Sequence, residues 1–96
     1  MKHYIAVIHK DPDSAYGVSF PDVPGVIASA ASLDAALAEA REALAFAAED
    51  WATLSGTAFP KPRTLDALRR DARFRETSTD AVVAAIPLEV EIGQAA

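Results

Sequence analysis

The 96-residue sequence predicts a single α+β domain, spanning residues 1–96, in which one sheet carries a long helix on one face. Two observations predict this class. Four short stretches are rich in β-branched or alternating apolar residues, at 3–9, 16–20, 26–30 and 81–88. One long stretch between them, at 33–54, has apolar residues at helical spacing. The predicted order is therefore β-β-β-α-(short α)-β.

The first two strands are predicted to form a hairpin. Residues 3–9 are a continuous β-rich run, which indicates a strand covered on both faces. Pro12, with aspartates and a serine around it, predicts a turn. In the second strand Tyr16, Val18 and Phe20 alternate with Gly17 and Ser19, so one face should contribute to the core. With residues 26–30 added, an antiparallel meander is expected.

A rigid corner separates the second strand from the third. Pro21, Pro24 and Gly25 interrupt the strand pattern, because proline has no N–H to donate and glycine tolerates positive φ. The apolar pattern resumes at once with Val26. Asp22, between the two prolines, is either an acid that caps the turn or a preorganised contact for a basic partner. We favour the turn role.

The helix is the strongest secondary-structure signal in the chain. Ser32 can cap it, Asp34 suits its positively charged first turn, and Gly56 is a plausible end. Phe46 falls off the apolar stripe, so it either widens the buried face or contacts something outside the monomer. The stripe itself steps by four and three through Leu33, Leu37, Ala40, Leu44, Ala47, Trp51 and Leu54.

The last third of the chain is predicted to hold a short helix and a final strand. A proline-stiffened loop at 59–62 precedes Thr64, which can cap a basic helix from Leu65 to about residue 72. Residues 73–80 are predicted to be irregular. The apolar run at 81–88 predicts a strand inside the sheet, and the alternating tail, with Val90 and Ile92, predicts a half-exposed extended strand.

Composition and charge narrow the function. The chain has no cysteine, which excludes disulfides and thiolate chemistry and suits a cytoplasmic location, and no apolar run long enough for a signal peptide or membrane span. A net charge of −5 argues against general nucleic-acid binding. The helix region alone carries a net −4, so its exposed face could meet a basic partner. The candidate interface comprises Asp22, Glu39, Glu42, Phe46, Glu49 and Asp50.

No catalytic or cofactor-binding constellation emerges from the residues. His3 and His9 would lie about 20 Å apart on one strand and cannot share an ion. No serine has a nucleophile context, and the four glycines form no phosphate loop. The alternative to a binding protein is a small metal-dependent nuclease or ligand-binding domain that uses Asp11, Asp13 and Asp22, three turn residues that turn chemistry also explains.

The corner and the helix together resemble the HicB-type antitoxins. The matching residues are Tyr16-Gly-Val-Ser-Phe-Pro-Asp-Val-Pro-Gly25, followed by Ser32-Leu-Asp-Ala-Ala-Leu-Ala-Glu-Ala-Arg-Glu-Ala-Leu44. The motif positions are Tyr16, Gly17, Phe20, Pro21, Asp22, Pro24 and Gly25. The resemblance implies a bacterial toxin–antitoxin system and a truncated RNase H-like fold without the catalytic acids. It also implies direct binding to a small basic HicA-like toxin that cleaves mRNA.

Two further expectations concern assembly. Of the 96 residues 22 are alanine, so the core is thin and a homo-oligomer, a dimer or tetramer, is expected through sheet edges or residues such as Phe46. Antitoxins of this type commonly repress their operon through a C-terminal DNA-binding module. Only four residues follow Ile92, too few for such a module, so DNA binding is not expected from these residues.

Overall fold

The described part of the chain folds into a four-stranded sheet and three helices. The computed structural model describes residues 2–89, apart from the side chains of Ala52 and Leu54. Along that part of the chain the elements are β1 (His3–Lys10), β2 (Tyr16–Ser19), β3 (Ile27–Ala30), α1 (Leu33–Ser55), α2 (Leu65–Leu68), α3 (Ala72–Thr77) and β4 (Val82–Pro87). The order differs from the predicted one by an extra short helix. The predicted tail strand, with Val90 and Ile92, falls outside the described residues.

The sheet is antiparallel throughout, in the order β3-β2-β1-β4. The predicted meander of β1, β2 and β3 is therefore confirmed, with Ile8 opposite Val18 on one side and opposite Val82 on the other. The predicted central position of the last strand is wrong. Among residues 2–89, β4 pairs with β1 alone and lies at the sheet edge, and its Val82 is 49% exposed. The run is also less buried than predicted, since Val82 and Val83 are exposed, and an apolar run alone does not specify pairing of both backbone edges.

The main core lies between α1 and one face of the sheet. Alternate residues of β1 point to that face, where Tyr4, Ala6 and Ile8 pack with Val18 and Phe20 of the second strand and its end. Ala40 and Leu44 of the predicted stripe are fully buried in the same cluster. Ala36, which is not part of the predicted stripe, is fully buried beside them. The alternation of β2 and the period of the helix are both confirmed.

A second, smaller core lies on the opposite face of the sheet. Val7, of the other parity in β1, packs there with Leu68 of α2 and Phe74 of α3. The prediction of an irregular segment at 73–80 is wrong for this reason, and the sheet is covered on both faces. Asp71 begins α3 as its N-cap, its side chain accepting from the backbone N–H of Arg73 at 2.9 Å.

The corner and the helix ends follow the predicted chemistry. Gly25 has φ of +92°, and Gly56, directly after α1, has φ of +74°, both in the left-handed region that favours glycine. In the corner the N–H of Val23 donates to the carbonyl of Phe20 at 3.1 Å. Ser32 caps α1 by accepting from the N–H of Ala35 at 3.1 Å. The bond in the corner fixes how the chain enters β3, and the cap fixes where α1 begins.

Candidate protein-binding site

A groove runs between α1 and the edge of the sheet that the corner and β3 form. Its volume is about 640 Å³, and its lining is mostly apolar. The sheet side supplies residues from the end of the corner and the start of β3, and the helix side supplies one flank of α1. The lining comprises Pro24, Gly25, Val26, Ile27, Ala28, Glu39, Glu42, Ala43, Phe46, Ala47 and Trp51. We call this surface the β3–α1 groove.

Two large apolar side chains in the groove are exposed to solvent. Ile27, the first residue of β3, is 72% exposed, and Phe46 on α1 is 66% exposed. Phe46 therefore does not widen the buried face of the helix, which was one of its two predicted roles. An exposed isoleucine and phenylalanine on opposite walls of one groove are typical of a protein-interaction surface.

Acidic residues line the helix side of the groove. Glu39, Glu42 and Phe46 share one stripe of α1, because they are three and four residues apart, and Glu49 continues it. Glu49 is exposed and Asp50 half-buried, and neither lines the groove. The single basic residue of α1, Arg41, pairs with Glu89. The structure thus joins three of the predicted interface residues to the motif residues Pro24 and Gly25.

Asp22 has a role that neither sequence reading anticipated. Its carboxylate accepts from the backbone N–H of Arg63 at 2.7 Å and from the Nε of the same residue at 2.6 Å. Arg63 also reaches Asp71 at 3.1 Å, and these hydrogen bonds raise the pKa of Arg63 above its ordinary value. The favoured turn-capping role is wrong, since the bonds reach 41 residues along the chain. Asp22 clamps the corner to the loop before α2.

An aromatic cluster supports the floor of the groove. The rings of Trp51 and Phe59 meet edge to face at 5.4 Å, and those of Phe59 and Tyr4 at 5.5 Å. The Tyr4 hydroxyl donates to the carbonyl of Pro60 at 2.6 Å, and burial, with a smaller contribution from Asp22, raises the pKa of Tyr4. This cluster holds the 59–62 loop against α1.

Sequence reasoning identified the helix side of this groove and missed the strand side. The apolar pattern predicts Val26 and Ile27 as ordinary strand residues, although Ile27 has the parity opposite to the half-buried Val26 and Ala28. That parity was the available signal, but it became interpretable only when β3 proved to be an edge strand beside α1. Trp51 was assigned to the core, and it both packs there and lines the groove.

The structure does not assemble the residues of the metal-dependent alternative. Asp11 and Asp13 lie in the turn between β1 and β2, whereas Asp22 is held by Arg63. Within residues 2–89, no group of three or more histidine, aspartate or glutamate side chains is placed to hold a metal ion. Over the same residues, no helix has the length and apolar character needed to cross a bilayer.

Comparison with known proteins decides the family. The profile of the HicB-like antitoxins of bacterial toxin–antitoxin systems matches residues 4–94. The chain belongs to the HicB-like antitoxin family. No curated protein matches it. Among solved structures, the HicB antitoxin of Burkholderia pseudomallei is 27% identical with a TM-score of 0.77, over 95% of this chain and 66% of that one.

Two further HicB structures resemble the chain over almost their full length. The N-terminal domain of the Burkholderia pseudomallei antitoxin HicB is 27% identical, with a TM-score of 0.72, over 92% of this chain and 99% of that domain. A chain of a HicA3–HicB3 toxin–antitoxin complex is 19% identical, with a TM-score of 0.68, over 91% and 98% of the two chains. This chain thus spans about two thirds of the Burkholderia antitoxin and nearly the whole of its N-terminal domain.

Proposed function

We propose that this HicB-like protein neutralises a HicA-type, mRNA-cleaving toxin by direct protein–protein contact, and that the β3–α1 groove is part of the contact. The observation that carries the proposal is the groove itself, which places exposed Ile27 and Phe46 beside Glu39 and Glu42 in a member of an antitoxin family. A related HicB chain is known in complex with a toxin, HicA3, and that precedent supports a toxin as the partner here.

The groove has the composition that a basic protein partner requires. Ile27 and Phe46 can act as anchors, because burying a side chain of this size contributes roughly 1.5–3 kcal/mol. The glutamates at the rim favour lysine or arginine on the partner and speed its approach. Glu49 and Asp50 extend the acidic character along α1. Asp22 supports the corner rather than contacting the toxin, since its carboxylate is bound to Arg63.

Three subsidiary proposals accompany this function. The fold is a truncated RNase H-like fold that acts by binding and not by catalysis, as its family suggests. The protein works in the cytoplasm, where a toxin that cleaves mRNA would meet its substrate. It also forms a dimer or tetramer. The exposed Val82 and Val83 on edge strand β4 are the surface we assign to that self-association.

Co-expression with a HicA-type toxin tests the proposal in cells. We expect the wild-type chain to restore growth and to co-purify with the toxin. The double variant Glu39→Lys/Glu42→Lys should lose both properties, because it places positive charge against a basic partner. Glu76→Lys, a reversal at an exposed position of α3, is the matched control and should behave as wild type. Rescue by the double variant equal to wild type would remove the groove from the interface.

A second measurement tests self-association separately from toxin binding. Light scattering of the purified chain at micromolar concentration should give the mass of a dimer or tetramer, and Val82→Glu should lower it, because a charge on an edge strand opposes pairing. A monomeric mass for the wild type would refute self-association while leaving toxin binding to be judged on its own assay.

A further inference from the structure

The outer edge of β3 is an open strand edge that borders the groove. β3 is the first strand in the order β3-β2-β1-β4, and nothing else in residues 2–89 pairs with its other side. An edge strand presents N–H and C=O groups that are ready to pair with another chain. The four residues of β3 include no charged residue and no proline, the features that block such pairing.

We propose that the toxin docks by adding an extended segment to β3 as a fifth strand of the sheet. This inference rests on the proposed function and specifies how the same groove is used. In strand addition, backbone hydrogen bonds supply affinity and alternate side chains enter pockets that give specificity. The β3–α1 groove lies directly beside the strand edge, so the α1-facing side chains of an added strand would reach it.

The groove also defines the sequence of the segment. Side chains on one face of a strand recur every second residue, about 6.6 Å apart. Glu39 and Glu42 are about one turn apart on α1, roughly 4.5 Å along its axis. A segment whose α1-facing side chains are one apolar residue against Phe46 and, two positions away, lysine or arginine would satisfy the apolar wall and the acidic rim together. We therefore infer a basic segment of the form apolar-x-basic.

Charge argues against a second copy of this chain as the occupant. A symmetric pair of β3 strands would bring the glutamates of both grooves toward one junction, because a two-fold interface repeats the same surface. The groove lining contains no lysine or arginine to offset them, and Arg41, the one base of α1, is paired with Glu89. Like charges across an interface disfavour association, whereas a basic segment is attracted.

Hydrogen exchange with a catalytically inactive HicA-type toxin tests the inference. On complex formation, the outward-facing backbone N–H groups within residues 27–30 should exchange at least about tenfold more slowly, because they gain partners on the new strand. The N–H groups of α3, on the sheet face opposite α1, are the internal control and should keep their rates. The affinity of Ile27→Glu for the toxin should fall at least about tenfold, as expected for loss of an anchor.

Ala72→Glu is the matched control variant. Ala72 is exposed like Ile27, but it begins α3 on the sheet face opposite α1, so each substitution adds one glutamate without touching the core. We expect Ala72→Glu to bind the toxin within about twofold of wild type. Phe46→Ala, on the opposite wall, is a second test of the groove and should also weaken binding. Thermal unfolding of each variant verifies that it is folded before its affinity is compared.

The outcomes separate this inference from the function on which it rests. If the wild type binds the toxin without protection at 27–30, and Ile27→Glu binds as well as wild type, strand addition is wrong and neutralisation stands. If the folded wild type does not bind the toxin at all, both are wrong. If protection at 27–30 grows with the concentration of the chain alone, a second copy occupies the edge, and the inference is overturned in favour of self-association.

Discussion

Replacing Asp22 with alanine should destabilise the fold substantially, although Asp22 lies in a loop. The side chain of Asp22 is only 8% exposed, and its carboxylate holds both the backbone N–H and the Nε of Arg63. A hydrogen bond to a charged group contributes roughly 1.5–3 kcal/mol. The ion pair itself adds little, because the Arg63 side chain is 43% exposed and screened by water. We therefore expect Asp22→Ala to cost about 2 kcal/mol, and Asp22→Asn, which keeps one acceptor, about 1 kcal/mol.

Urea and thermal unfolding measure this cost. A loss of about 2 kcal/mol in a domain of this size lowers Tm by about 10 °C. Asp13→Ala is the control, since Asp13 is an exposed turn residue whose side chain makes no hydrogen bond to another described residue. It should stay within about 0.5 kcal/mol of wild type. An Asp22→Ala protein as stable as wild type that no longer bound toxin would refute the clamp and make Asp22 a contact residue.

Three further predictions concern the corner, the second core and acid stability. Gly25→Ala should cost about 1–2 kcal/mol of unfolding free energy, because φ of +92° is strained for any side chain. Gly17→Ala, in β2 with equally open surroundings, is the control and should be neutral or slightly stabilising in the same unfolding assay. Equal effects of the two substitutions would contradict a role for the positive φ. Leu68→Ala should cost about 3 kcal/mol of unfolding free energy by chemical denaturation, since Leu68 is fully buried against the sheet face opposite α1. A change below about 1 kcal/mol would mean that α2 is not packed on that face. The hydrogen bond from Arg63, with that from the backbone of Arg73, lowers the pKa of Asp71 below its usual 3.8, so the stabilising contribution of the carboxylate is present above pH 3.8 and is lost as pH falls through the depressed pKa. Asp71→Asn should therefore be less stable than wild type at pH 7, and the difference in stability should shrink below about pH 4. A difference independent of pH would exclude the ionised carboxylate as the cause.

Local signals in the sequence predicted most of the first core. The alternation of Tyr16, Val18 and Phe20 and the stripe through Leu44 each have one period and one buried face, so they identify both the element and its orientation. The glycines at 25 and 56 are equally local, because a turn or helix end that requires positive φ selects that residue. Such features depend on near neighbours alone, and the structure confirms them.

What the sequence could not predict depends on contacts between distant segments. α3 is only six residues long, and its stability comes from Phe74 packing under β1, a contact that no local pattern announces. β4 lies at the sheet edge because it pairs with the side of β1 that β2 leaves open, and that pairing joins segments far apart in the sequence. The Asp22–Arg63 clamp joins residues 41 apart, and a lone aspartate between prolines is explained equally well by turn chemistry.

The candidate site shows the same division. The acidic face of the predicted helix and the position of Phe46 off its apolar stripe indicated Glu39, Glu42 and Phe46 as interface residues. The other wall, with Ile27, required knowledge that β3 lies at the sheet edge next to that stripe. A binding groove between two elements is a tertiary feature, so a sequence period can indicate one wall and leave the other undetected.

The measurement that tests the central claim most directly is the inhibition of toxin activity in solution. A purified HicA-type toxin is incubated with an mRNA substrate and increasing amounts of the folded chain, and the intact RNA is quantified. Direct neutralisation predicts that cleavage falls in proportion to the added chain and stops near one equivalent per toxin, with Glu39→Lys/Glu42→Lys ineffective at the same concentrations. Undiminished cleavage in the presence of a large excess of folded wild-type chain would contradict the proposal.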